Sequence, residues 1–318
     1  MLMYYFIVNP AAKSGRGMQV WRQVRTELKI RGTEYRFYLT TKERNASFLA
    51  KHLLKKKPGE ITIVALGGDG TVNEVLQGIA AAGAFPRVRL GYIPAGSSND
   101  LARALCLPQD PTEILSRILL GEDERQIDLG RLNYRNAEDP ALNGKQRYFI
   151  VSAGIGFDAA VCEEALRTKD KAFFNRIGLG AFSYGFLCVK RLLLSKGTDF
   201  QITLDGKRIH AVQDSMFVAV MNHKYQGGGV MFAPDAEDDD GELDVCFTDR
   251  MSRTQVLMVL PKAYRGTHVG TPGIRIDRAR KIRIVSSEPL YVHTDGEVQT
   301  KATDISVRCL PAKLRLLV

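Results

Sequence analysis

Cysteine is scarce in this 318-residue chain: Cys106, Cys162, Cys188, Cys246 and Cys309 are scattered, odd in number and never in Cys-x-x-Cys spacing. That excludes a disulfide framework and a cysteine zinc site, and it suits a reducing compartment. The histidines (His52, His210, His223, His268, His293) show no paired spacing for a metal. No Gly-Lys-Ser/Thr follows a glycine turn, which excludes a Walker A loop. No apolar run approaches the roughly 18 residues of a membrane span. The apolar opening, residues 1–8, is stopped by Asn9-Pro10 and lacks a basic leader or cleavage site, so it reads as a first strand rather than a signal peptide. Nothing resembles a nucleic-acid module, and aromatics are not interleaved with the basic runs, so nucleic acid is not an expected partner. Internal repeats and low-complexity linkers are also missing.

What is present is a normal globular balance, 45% hydrophobic and 25% charged, in a length that suits two domains. The net charge of +10 points to polyanions, either nucleotide phosphates or an anionic membrane surface. Strand and helix patterns alternate over residues 1–130: strands at 4–8, 35–40, 61–66 and 89–93, helices at 16–29, 44–57, 72–82 and 100–105. Such alternation predicts an α/β domain with a parallel sheet. The run at 61–66, ITIVAL, is apolar throughout, as expected of a strand buried on both faces. Beyond residue 130 the spacing predicts strands at 126–132 and 147–152, a helical region from 158 to 194, and then many short strands. That pattern predicts a β-sandwich.

Two turns carry the chemistry. The strand at 61–66 runs into Gly67-Gly68-Asp69-Gly70-Thr71 and a helix begins at once. Glycines let backbone approach phosphate oxygens, and a helix N-terminus offers unpaired N–H groups. The plain structural reading is a capping box, Thr71 with Glu74. The next strand ends in Pro94-Ala95-Gly96-Ser97-Ser98-Asn99-Asp100, where Ser97 with Asp100 offers the same alternative. Two such turns on successive strands face one crevice at the carboxyl edge of the sheet, where open α/β folds bind ligands.

The segments GGDGTVNE (67–74) and PAGSSNDLAR (94–103) resemble the signature turns of the diacylglycerol kinase catalytic domain family. Asn9-Pro10-Ala11-Ala12-Lys13-Ser14-Gly15 is similar to that family's first nucleotide-side loop, and Thr40 opens a segment like its second-strand turn. Ser97 departs from the threonine frequent there but keeps a hydroxyl. The resemblance runs over nearly the whole chain. It implies an α/β domain of the NAD kinase/diacylglycerol kinase type over 1–130, and a β-sandwich substrate domain over 131–304. Strands near 305–318 would return to the first domain. The implied nucleotide contacts are Asn9, Lys13, Thr40, Gly67, Gly68, Asp69, Gly70, Thr71, Asn73, Glu74, Gly96, Ser97 and Asn99, and the implied cofactors are ATP and Mg²⁺.

By the same resemblance, Asp240 binds Mg²⁺ with backbone carbonyls of Glu237 and Glu242, in a network that includes Asp100 and Asp128. Taken alone, residues 237–242 read as a solvated acidic loop. Asp295-Gly296-Glu297 is by itself a hairpin turn. In the family it holds the proton acceptor, which makes Glu297 the expected base, with Asp295 and Asp69 supporting. The implied activity is transfer of phosphate from ATP to the hydroxyl of a membrane lipid, with diacylglycerol the expected acceptor. The alternatives are a sphingoid or ceramide kinase, an NAD kinase-like phosphotransferase and a non-catalytic lipid- or nucleotide-binding regulator. Gly154–Ala159 also fits GxGxxA, a dinucleotide-binding pattern, though it lies outside the alternating half. The expected setting is cytoplasmic and peripheral at an anionic inner membrane face, with a homodimer as the implied assembly. The basic, aromatic stretch 167–196 is the expected lipid border.

Overall fold

A computed structural model describes residues 3–121, 123–167, 191–192 and 194–318. The first half runs β1 (Tyr4–Val8), α1 (Ala12–Ile30), β2 (Tyr35–Leu39), α2 (Ala46–Lys56), β3 (Ile61–Gly67), α3 (Asp69–Ala81), β4 (Val88–Pro94), α4 (Asp100–Ala104) and α5 (Pro111–Leu120). The second runs β5 (Glu124–Ala137), β6 (Gln146–Phe149), β7 (Ser152–Gly156), α6 (Phe157–Arg167), β8 (Thr198–Leu204), β9 (Arg208–Ser215), β10 (Phe217–Met221), β11 (Tyr225–Gln226), β12 (Val230–Met231), β13 (Leu243–Thr248), α7 (Arg253–Tyr264), β14 (Ile274–Ala279), β15 (Lys281–Thr294) and β16 (Glu297–Leu317).

Strands β2, β1, β3 and β4 form a parallel sheet in that order. Every residue of β3 is buried because helices cover both faces. One face packs Leu54, Val72 and Ile79; the other packs Trp21, Leu28 and Ile118. The second half is a β-sandwich-like domain around Phe149, Ile155, Phe200, Val218, Phe247 and Ile282.

The two halves share strands. β16 is antiparallel to β15 for most of its length, yet its last residues, Arg315, Leu316 and Leu317, pair in parallel with Arg89, Leu90 and Gly91 of β4. β5 runs antiparallel to β16 on both sides of that transition.

Several local expectations change. The strand expected over 147–152 is two strands, β6 and β7, interrupted at Ile150 and Val151. β7 is antiparallel to both β10 and β15, so Gly154 and Gly156 lie within a strand and no βαβ unit surrounds them. This removes the dinucleotide reading of Gly154–Ala159. Neither capping box forms. α3 begins at Asp69 with Gly68 as its cap, and α4 begins after Asn99, which sits in left-handed backbone at φ 50°. The stretch 168–190, where most of the expected lipid border falls, lies outside the described residues.

Candidate active site

β3 and β4 deliver their two turns side by side at the carboxyl edge. The turns are pressed backbone to backbone: a Cβ on Gly96 would stand 2.5 Å from Gly68 Cα, and one on Gly67 would stand 2.3 Å from Thr71 Oγ1. Only glycine fits there. Asn99 closes its own loop by accepting from the Gly96 amide at 2.9 Å. Asp69 ties the turns together, since its Oδ2 accepts from the Asp100 amide at 2.9 Å and thereby caps α4. Asn9 joins them from β1, its Nδ2 donating to Thr71 Oγ1 at 3.2 Å.

The Asp295-Gly296-Glu297 turn between β15 and β16 folds onto these turns. A cleft of about 270 Å³ is lined by Gly68, Asp69, Gly70, Ser97, Asp100 and Gln226 on one side and by Ser152, Asp295, Gly296 and Glu297 on the other. A Cβ on Gly70 would lie 3.2 Å from Glu297 Oε1, so the absent side chain leaves room for that carboxylate. Among the described residues no group donates a hydrogen bond to Glu297.

Asp295 is fully committed. Its Oδ1 accepts from the Val151 and Ser152 amides, both at 2.9 Å. Its Oδ2 accepts from the Ile150 amide at 3.0 Å and from Asn73 Nδ2 at 2.7 Å. The interruption between β6 and β7 supplies those amides. Asp295 therefore positions the turn, and its carboxylate has no capacity left for a reacting group. Behind it, His293 Nδ1 accepts from the Gly296 amide at 3.2 Å, so Nε2 carries the proton and donates to Asp158 Oδ2 at 2.9 Å. Gly154 makes room for this pair, since a Cβ there would stand 1.9 Å from Asp158 Oδ2. His293 and Asp158 carried no sequence signal; Asp158 sits two residues past a strand end and His293 two before a turn.

Negative charge accumulates in the cleft. Burial, followed by repulsion from Asp100, lifts Asp69 to about 7. Burial also raises Asp100, although the Gly228 amide donates to its Oδ2 at 2.8 Å. Asp100 Oδ1 is buried without a hydrogen-bond partner and faces Arg103 Nη1 at 3.7 Å. Glu74 is raised by burial and then by the Glu297 charge.

Other expected residues have different tasks. Asn73 is fully buried and spends its amide on Tyr148 O and Asp295, so it cannot meet a nucleotide. Glu74 accepts from the Ala46 amide at 2.8 Å and caps α2. Lys13, exposed in left-handed backbone at φ 42°, and Thr40, whose amide donates to Val8 O, stand at the β1–β2 edge outside the cleft lining.

The expected metal residues divide into two groups. Asp100 belongs to the cleft. Asp128 is buried under the 237–242 loop, with Oδ2 accepting from the Gly241 amide at 2.6 Å and Oδ1 from the Ala312 amide at 2.7 Å. Those bonds fix the loop and the end of β16. Asp240 Oδ1 accepts from the Glu242 amide, and its Oδ2 lies 3.5 Å from Arg278 Nη1. Glu237 is exposed, and Glu242 lies 4.0 Å from Arg280 Nε. Among the described residues no three His, Cys, Asp or Glu side chains are spaced to hold a metal. Within the cleft, the orphaned Asp100 Oδ1 and the raised Asp69 make a pair of oxygen donors of the kind a divalent cation takes.

Residues 3–132 match the family model for the diacylglycerol kinase catalytic domain, and residues 150–318 match the YegS C-terminal NAD kinase beta sandwich-like domain. The chain is similar to a diacylglycerol kinase of Mycobacterium tuberculosis, 28% identical over 311 residues that cover 98% of this chain and 93% of that protein. It is likewise similar to a diacylglycerol kinase of Bacillus subtilis, 28% identical over 295 residues covering 92% of this chain and 88% of that one. A solved diacylglycerol kinase structure from Bacillus anthracis shares the fold with a TM-score of 0.67 at 20% identity, covering 99% of this chain and 96% of that one.

Proposed function

The chain belongs to the family that joins a diacylglycerol kinase catalytic domain to a YegS-type sandwich domain, and on that premise we propose that it moves the terminal phosphate of ATP to a lipid hydroxyl, diacylglycerol first among the acceptors. The names of the relatives support a kinase and suggest this acceptor. The observation that carries the reading is the meeting of Glu297 with Asp69 and Gly70 in one cleft, although 228 positions (297 − 69) separate Glu297 from Asp69.

Each side of the cleft has its own task. The Gly67–Gly70 and Gly96–Asn99 turns bring backbone close enough for phosphate oxygens, a close approach that side chains would forbid. When bound, magnesium with ATP supplies the phosphoryl group and neutralises its charge. Asp100 Oδ1 and Asp69 are the groups on the chain that would face that cation. Glu297, with no donor holding it among the described residues, accepts the proton of the attacking hydroxyl. Asp295, Asn73 and His293 hold the turn that carries it. Among the described residues no helix is long and apolar enough to cross a membrane.

The test is a panel of lipid alcohols (diacylglycerol, monoacylglycerol, sphingoid base, ceramide, undecaprenol) and NAD, given with labelled ATP and Mg²⁺. The expected result is labelled phosphatidic acid from diacylglycerol, with turnover lost in Glu297→Gln. Label transferred to NAD alone, or unchanged turnover in Glu297→Gln, would overturn the reading.

A further inference from the structure

Helix α7 is only lightly packed: Val256 meets the core beside Phe217 and Ala233, and most of the remaining helix surface is open. Of its residues only Ala263 is buried. Leu257 and Met258 are exposed, Met258 by 74%, and Tyr264 at the helix end and Val269 beyond it extend the apolar surface. The helix is nevertheless well fixed. Ser252 and Gln255 form a complete capping box at its start. At its far end Gly266 packs against Met231 and Pro234, and His268 Nε2 lies 3.3 Å from Phe232 O. A firmly held helix with an uncovered apolar surface calls for a partner.

Charge identifies the partner. From Arg250 to Arg275 the sequence holds Arg250, Arg253, Lys262, Arg265 and Arg275 and not one Asp or Glu. All five are exposed. Lys262 follows Met258 by four positions on the same helix face, and Arg265 caps the helix three residues further on. A second copy is a poor occupant, because a two-fold contact would set these cations against their own copies with no carboxylate between them. An anionic lipid surface matches both features: apolar side chains enter the headgroup–acyl boundary while cations meet lipid phosphate.

We propose that α7 docks this protein on anionic phospholipid bilayers through Leu257 and Met258, with Lys262 and Arg265 against the headgroups; its purpose, though not its physical basis, rests on the lipid-kinase reading. The placement suits delivery of an acceptor. α7 packs on β12, which pairs with β11, and β11 leads Gln226 and Gly227 to the cleft wall. One two-stranded ribbon thus separates the docked helix from the site.

The test is co-sedimentation of the full chain with vesicles of phosphatidylcholine alone or with about one-third phosphatidylglycerol. The parent is expected to bind the anionic vesicles at least ~10-fold more tightly. Met258→Glu, and Lys262→Glu with Arg265→Glu, should each weaken that binding ~10-fold or more, each basic residue near the surface contributing about 1 kcal/mol. Turnover on a short-chain, dispersed diacylglycerol should stay within about twofold, since α7 does not line the cleft. Equal binding to both vesicle types, or variants that bind like the parent, would overturn the docking. So would light scattering in which Met258→Glu converts a dimer to monomers while vesicle binding is retained. A parent that binds vesicles through α7 but phosphorylates no lipid alcohol would sink the kinase reading and leave the docking standing.

Discussion

Replacing Asp295 with asparagine turns one carboxylate oxygen into an NH₂ group, and the surroundings set the cost. Oδ1 takes the Val151 and Ser152 amides, and Oδ2 takes the Ile150 amide and Asn73 Nδ2. Whichever end the new nitrogen occupies, it faces two N–H donors, and two of the four bonds are lost. Hydrogen bonds to a charged acceptor contribute about 1.5–3 kcal/mol each, so the loss is roughly 3–6 kcal/mol. That is a large share of the ~5–15 kcal/mol that holds a typical domain folded. Glu297→Gln removes no protein hydrogen bond among the described residues, and its effect on stability should stay within about 0.5 kcal/mol. Its turnover should fall ~10²–10⁴-fold, the usual contribution of a positioned base. Urea denaturation midpoints and turnover at saturating ATP and acceptor, measured for both variants, separate the two roles. An Asp295→Asn protein with the parent's midpoint and the turnover loss of Glu297→Gln would refute the division, because Asp295 would then be acting on the reacting atoms.

Other consequences can be checked in the same way. Asp69, lifted to about 7 in the folded protein from an ordinary 3.8, holds its proton more tightly folded than unfolded. Its contribution to stability is complete below about pH 4 and is lost as pH rises through 7, so Asp69→Asn should flatten the pH dependence of the urea midpoint and stabilise the ligand-free protein at pH 8 by up to about 4 kcal/mol. An unchanged slope between pH 5 and 8 would count against the burial argument. Gly96→Ala should unfold the paired turns or abolish nucleotide binding, whereas Gly59→Ala, with nothing within 4 Å of its Cβ, should be silent in both calorimetry and activity. His293→Asn can keep an oxygen for the Gly296 amide, while His293→Gln reaches toward Asp158 and leaves that amide unpaired. The glutamine variant should turn over about tenfold more slowly than the asparagine one, the effect of an unsatisfied donor near the base. Equal rates would show that the imidazole does not position Glu297.

Much of this was readable from residue order. Local rules exposed the parallel sheet, because ITIVAL and its neighbours alternate with helical periods. The glycine turns were visible as motifs. What escaped depended on distant partners. Asn73 and Glu74 sit inside a motif read as nucleotide-binding, yet one secures Asp295 and the other caps α2, pairings across 222 and 28 positions. Asp128 stands in a segment with no local signal, and its bonds to the Gly241 and Ala312 amides join positions far apart in the chain. Helix α5 announced itself through Asp110-Pro111, and α7 through Ser252 and Gln255. Both start signals were legible; that of α7 was outweighed by the strand-rich pattern around it.

The base candidate stands at the first residue of β16, and the last residues of the same strand complete the parallel sheet beside β4. β5 accompanies it in antiparallel register across the boundary. The two lobes are thus stitched by continuous hydrogen-bonded ribbon instead of being hung on a pliable hinge. Swinging them apart would tear ladder bonds in both at once, so acceptor entry and product exit must rely on smaller movements at the cleft walls. Trimming a few residues from the carboxyl terminus should accordingly loosen the grip on Glu297 from the opposite end of its own strand.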